Sequence, residues 1–297
     1  MDDHIKTDYD TDFLVWLQNQ AELLRAKQFE RLDLEHLIEE LESMGSKERH
    51  EFKNRIVQLM MHLLKWKIQP DHISGSWLRS IREQRYSIAD LMEEMPSLKP
   101  LLDSYATRNY ARAVALAADE THLPKSAFPP QCRSPQNSCS IPTIYRKRRC
   151  DMDDHINTSH EADFLVWTST QIELLRSKQF DRLDLENIIE ELESMARAEK
   201  HELEHRIEKL ITHLLKCELQ PGQISGSWLG TIREQRYRIG KLLKAMPSMK
   251  PLLDPYIAMA YDHAAARAAD ETHLPRTALP ARMPFTKEQL LDPDYLP

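Results

Sequence analysis

DLEHLIEELESMGSKERHEFKNRIVQLMMHLLKWKIQP, residues 33–70, carries apolar side chains at Leu34, Leu37, Ile38, Leu41 and Met44, then at Phe52, Ile56, Leu59, Leu63 and Leu64. Spacings of three and four residues gather them into one stripe, which predicts a long amphipathic helical run. Asp33 offers a capping carboxylate, and Gln69-Pro70 ends the run because proline disfavours helix at the preceding residue. Gly45 is the one internal weak point. The stretch returns as DLENIIEELESMARAEKHELEHRIEKLITHLLKCELQP over residues 184–221, with Ala196 at the glycine's position. The expectation is therefore either a continuous helix or a break that does not depend on glycine.

That return is part of a larger one. Residues 1–131 realign on 152–282 at a constant offset of 151 without a gap, with about 79 of 131 positions identical. A period of this length is a domain duplication, far longer than the roughly 20 to 50 residues of a solenoid repeat. Each copy is long enough to bury a core of its own. Met152-Asp153-Asp154-His155-Ile156 repeats Met1-Asp2-Asp3-His4-Ile5 and reads like a second start.

Six glycines in 297 residues, with abundant Leu, Glu, Ala, Arg and Lys, favour an all-α chain with strands absent or trivial. No stretch approaches the roughly 18 consecutive apolar residues of a membrane span, and MDDHIKTDYD is acidic rather than signal-like. A cytoplasmic protein with no membrane association is expected. The net charge of −7 argues against broad, charge-driven nucleic-acid binding, though a local basic face survives it.

Within a copy, a first helix is predicted from near Asp10 or Asp12 to about Lys27, with Phe13, Trp16, Leu17, Leu23 and Leu24 as its stripe. After the long run, Ser74-Gly75-Ser76 supplies a turn and a cap for a helix from Trp77 to about Met95, with Trp77, Leu78, Ile81, Ile88 and Leu91 inward. A last helix runs from about Leu98 or Leu101 to Asp119. Short connections make two tandem four-to-five-helix bundle modules: residues 1–131, and 152–297 with a C-terminal tail at 284–297.

Residues 132–151 are expected to form a flexible linker, since CRSPQNSCSIPTIYRKRRCD has no core-forming pattern. It holds Cys132, Cys139 and Cys150, but their spacing lacks a CxxC pair and no paired histidines accompany them, so zinc is disfavoured. The segment has another reading. With permitted codons for Arg133 to Lys147, the frame shifted by two bases translates as FTPEQLLDPDYLPE, close to the copy-two tail PFTKEQLLDPDYLP. The hypothesis is that a single-base deletion near Pro130 carried copy one past its own stop and into a duplicate gene. The DNA sequence decides it, because a shifted frame that does not encode this tail refutes the idea.

The ordered set EELESM, HLLK, QP, SWLxxIREQR, MPSxKPLL and ETHLP occurs twice and resembles the domain-of-unknown-function 29 family of bacterial helical proteins. In copy two the resemblance extends through the tail. It implies an all-helical fold and no catalytic residue set.

The nearest approach to a catalytic signature is Arg55-x6-His62, repeated as Arg206-x6-His213. Seven residues are about two helical turns, so each pair shares a face. The spacing resembles the arginine and histidine pair of helical ribonucleases with higher eukaryote and prokaryote nucleotide-binding folds. The competing reading is a semi-buried, hydrogen-bonded histidine inside LMMHLLKW. His213 with Cys217 forms an i, i+4 pair, but Trp66 replaces the cysteine in copy one, so no metal or other cofactor is expected. Paired carboxylates Glu39 and Glu42, with Glu190 and Glu193, lack the Glu-x-x-His partners of a di-iron bundle.

The basic helices at 77–88 and 228–244 supply binding candidates: Trp77, Arg82 and Arg85, and Trp228, Arg233 and Arg236. The favoured reading is a non-enzymatic interaction or regulatory protein whose partner is another protein or its own second module. The alternatives are a ribonuclease-like enzyme using Arg55, His62, Arg206 and His213, and nucleic-acid binding through the basic helices.

Overall fold

A computed structural model describes residues 9–72, 74–131 and 159–297. Among them the structure is all-α, without strands. Copy one contributes α1 (Phe13–Arg25), α2 (Leu34–Ile68), α3 (Gly75–Glu94) and α4 (Leu102–Thr121). Copy two contributes α5 (Phe164–Arg176), α6 (Leu185–Leu219), α7 (Gly226–Ala245), α8 (Leu253–Thr272) and a short α9 (Lys287–Leu291) in its tail. The linker cysteines and the RKRR run lie outside the described residues.

Local chemistry sets the helix starts. Asp12 accepts the Val15 N–H and Asp163 the Val166 N–H, as N-caps of α1 and α5. Ser74 and Ser225 cap α3 and α7 in the same way, through Trp77 and Trp228. Proline then stops α3 and α7, and Pro96–Leu101 and Pro247–Leu252 wind as 3-10 turns before α4 and α8. His122 and His273 end those last helices at φ 57°, the left-handed position more often given to glycine.

The long run is continuous in both copies, 35 residues each. Leu37, Leu41, Phe52, Ile56, Leu59 and Leu64 are buried along α2 as their spacing requires, and Gly45 sits inside without a break. A Cβ at Gly45 would lie 3.6 Å from Leu165 Cδ2 and 3.8 Å from Thr168 Cγ2, ordinary contact distances. Gly45→Ala is therefore expected to stabilise the protein by about 0.5–1 kcal/mol, through helix propensity and a less flexible unfolded chain. A urea-denaturation midpoint that moves down instead of up would refute this.

Leu78 departs from expectation. It is 41% exposed, because the buried line of α3 is Ile81, Ile88 and Met92, and Leu78 falls beside it.

The packing units are not the sequence repeats. Among the described residues, one compact unit falls within 1–33 and 184–297, and the other within 34–183. In the first, α6 packs on α7, α8 and α1; in the second, α2 packs on α3, α4 and α5. Each expected module, 1–131 and 152–297, thus lacks its own first helix and holds that of the other copy. The physical reason lies in the identity of the copies. FLVW opens α1 and α5 alike, so the apolar stripe of either fits the long helix of either. Exchange of an identical element between like bundles costs little.

Candidate functional site

Three sets of side chains gather the recurring motifs. The first joins HLLK, SGSW and ADET. Lys65 is 3% exposed, its Nζ 4.1 Å from the centre of the Trp77 ring and ion-paired with Glu120. Copy two repeats this: Lys216 lies 4.4 Å over Trp228 and pairs with Glu271 at 2.5 Å. One ammonium and one carboxylate cancel, so the cluster is not an anion receptor. It ties α2 to α3 and α4, and α6 to α7 and α8. A desolvated cation on an indole face is worth up to about 2 kcal/mol.

His62 and His213 lie one turn before these lysines. Burial pushes both imidazoles below their ordinary range, reinforced at His62 by Lys65 and partly offset by Glu120. At His213 the hydrogen bond to the Lys209 carbonyl, 2.9 Å from Nδ1, works against the burial. His62 Nδ1 is buried without a hydrogen-bond partner. Arg55 is bonded to Glu51 at 3.0 Å and to Gln84 at 3.4 Å. Arg206 is held by Glu202 and, at 3.0 Å, by Gln235. Both guanidinium groups are thus spent on carboxylates of their own helix and on α3 or α7.

Cys217 is fully buried and its thiol is pushed up by burial, away from reactive thiolate. Among the described residues no group of three or more His, Cys, Asp or Glu side chains could hold a metal ion.

The second set fastens the exchanged helices. Asp12 caps α1 and also accepts the Ser248 backbone N–H at 2.6 Å and its hydroxyl at 2.9 Å. Asp163 does the same for Ser97, at 2.6 and 3.0 Å. At the other helix end Arg25 pairs with Glu193, and Arg176 with Glu42. Asp12 and Asp163 belong to DFLVW, Ser97 and Ser248 to MPSxKPLL, and Glu42 and Glu193 to EELESM. Asp12 was legible as a cap; its second task, 236 residues away in sequence, was not.

The third set divides the basic helices. Arg82 and Arg233 are exposed. Arg236 is 7% exposed and donates to the carbonyls of Gln289, Leu290, Pro293 and Tyr295, at 3.1, 2.8, 3.3 and 2.8 Å. Burial pulls its pKa down against the pull of Asp292, Tyr295 and Asp294, and it remains charged. It anchors the tail, while Trp77 and Trp228 each have a face occupied by the chain's own lysine.

These features define an all-helical protein of two duplicated bundles, its recurring motifs given to interhelix ties. The chain belongs to the family described as domain of unknown function DUF29, whose model matches twice, at residues 9–139 and 159–296. No curated protein and no solved structure matches it. Among the described residues no helix is long and apolar enough to cross a membrane.

Proposed function

We propose that the protein is a non-enzymatic helical pairing module, in which the first helix of one domain copy is the recognition element and the long helix of another copy is its receptor. The observation that carries this is the reciprocal placement of α1 with α6 and of α5 with α2. The recognition is specific in chemistry. An apolar stripe docks, an aspartate cap takes two hydrogen bonds from a serine of the receiving bundle, and an arginine closes the far end on a glutamate. In a tandem chain the two copies satisfy each other; a lone copy of the domain would seek a second one. Arg55 and Arg206, already bonded to glutamate and glutamine, fit structural ties better than an RNA-cleaving pair.

The test is a specific protease site placed between residues 132 and 158 of the full chain. After cleavage the two fragments are expected to elute together, one to one, in native buffer and to separate only in denaturant. Fragments that separate in native buffer overturn the proposal.

A further inference from the structure

The outward faces of α3 and α7 carry the same aromatic residue and opposite charge. Tyr86 is 60% exposed and its counterpart Tyr237 69%. Beyond the tyrosine, the exposed charges on α3 are Asp90, Glu93 and Glu94, whereas on α7 they are Arg238, Lys241 and Lys244. Positions 86, 90 and 93 share one helix face by their spacing, as do 237, 241 and 244. Lys241 thus stands where copy one has Asp90, and Lys244 where it has Glu93. Arg238 also reaches Glu234 of its own helix, at 3.4 Å. The inward line does not diverge in this way. Ile81 and Ile88 return as Ile232 and Ile239, and Met92 as Leu243, all buried. The reversal of sign is confined to the side turned to solvent, around a tyrosine, a residue type that interfaces favour at their centres.

We infer that the α3 face of one chain docks on the α7 face of a second copy of this chain, setting Asp90, Glu93 and Glu94 against Arg238, Lys241 and Lys244 beside Tyr86 and Tyr237. Charge selects the occupant. Two α3 faces repel each other through their acids, and two α7 faces through their bases, so the complementary match is α3 with α7. The two helices run in the same direction, because that places the acidic half on the basic half. Their first halves, Arg79, Arg82 and Glu83 on one and Arg233 and Glu234 on the other, carry both signs. A contact between two different surfaces is head-to-tail, and it builds a ring or an open row of chains. This inference stands apart from the helix pairing, since α1 and α5 take no part in it.

The test is sedimentation velocity of the full chain at about 1 to 100 μM in low salt, the range of ordinary transient contacts. Association that grows with concentration and weakens as salt rises is expected. Lys241→Glu with Lys244→Glu is expected to weaken it at least about tenfold, and so is Asp90→Lys with Glu93→Lys. All four side chains are exposed, so the variants keep their fold. Mixing the two variants should restore association, because an acidic α3 then meets a basic α7 again. A chain that stays monomeric throughout overturns the inference. So does association that the reversals leave unchanged, or that the mixture fails to restore. Capture of a labelled single-stranded oligonucleotide by a monomeric chain, lost in Lys241→Glu with Lys244→Glu, would assign the basic face to nucleic acid and overturn it as well.

Discussion

Alanine at Arg236 is expected to loosen residues 284–297 on their bundle at a cost of about 3 kcal/mol in docking free energy. The side chain is nearly buried and each of its bonds runs from a charge to a carbonyl. Such bonds contribute roughly 1.5–3 kcal/mol singly, and four on one guanidinium do not add in full. Apolar burial of Phe285 and Leu290 remains after the substitution, so the tail is weakened but not abolished. Hydrogen exchange should show the effect as a roughly hundredfold loss of protection at tail amides, by the rule of 1.4 kcal/mol per decade. Arg85→Ala serves as the matched control. Its Nε has no partner to lose, and the expected change is under about 0.5 kcal/mol. Equal effects at the two positions would refute the assignment of Arg236 as the tail's anchor.

The contrast between these two arginines marks where the sequence stops being informative. Arg82 and Arg85, like Arg233 and Arg236, read as one basic helix face, because charge and spacing are all a sequence displays. Which arginine is covered depends on a segment more than 50 residues downstream, and no local pattern encodes that contact. The long helices were legible for the opposite reason. The stripe from Leu37 to Leu64 is a local, repeated signal, and Ala196 at the counterpart of Gly45 already argued that glycine was incidental. Leu78 shows the limit of that signal, as a residue three before Ile81 lies near the buried line without lying on it.

Partner choice was hidden for a subtler reason. The α1 stripe states that Trp16, Leu17 and Leu24 need an apolar counterface, but α2 and α6 present nearly the same face. Two receptors of near-identical shape make the pairing degenerate at the level of sequence. The route out of α1 through the extended Leu32 is matched out of α5 by Leu183 at the same φ of −65° and ψ of 139°, so the choice is visible only in the packing of α1 on α6 and of α5 on α2. The serine of MPSxKPLL was visible as a motif residue, yet its hydrogen bonds cross to the helix of the other copy.

That packing makes a sharp expectation for Trp16→Ala. Trp16 is 1% exposed, its Nε1–H donates to Asp33 at 3.0 Å, and its ring stacks on Phe13 with centroids 5.8 Å apart. Truncating a buried tryptophan costs about 3–5 kcal/mol, through lost burial and the cavity left behind. The size is ordinary; the location is the discriminating part. Although Trp16 belongs to copy one, α1 packs on α6, so the loss is expected in the unit formed with copy two. Hydrogen exchange should find protection reduced roughly a hundredfold or more over residues 185–219, with residues 34–68 much less affected. Trp167→Ala, on α5 and also 1% exposed, should give the mirror result, with protection lost over 34–68. If each substitution instead loosens the long helix of its own copy, the helices are not exchanged, and the pairing function argued from them falls with that result.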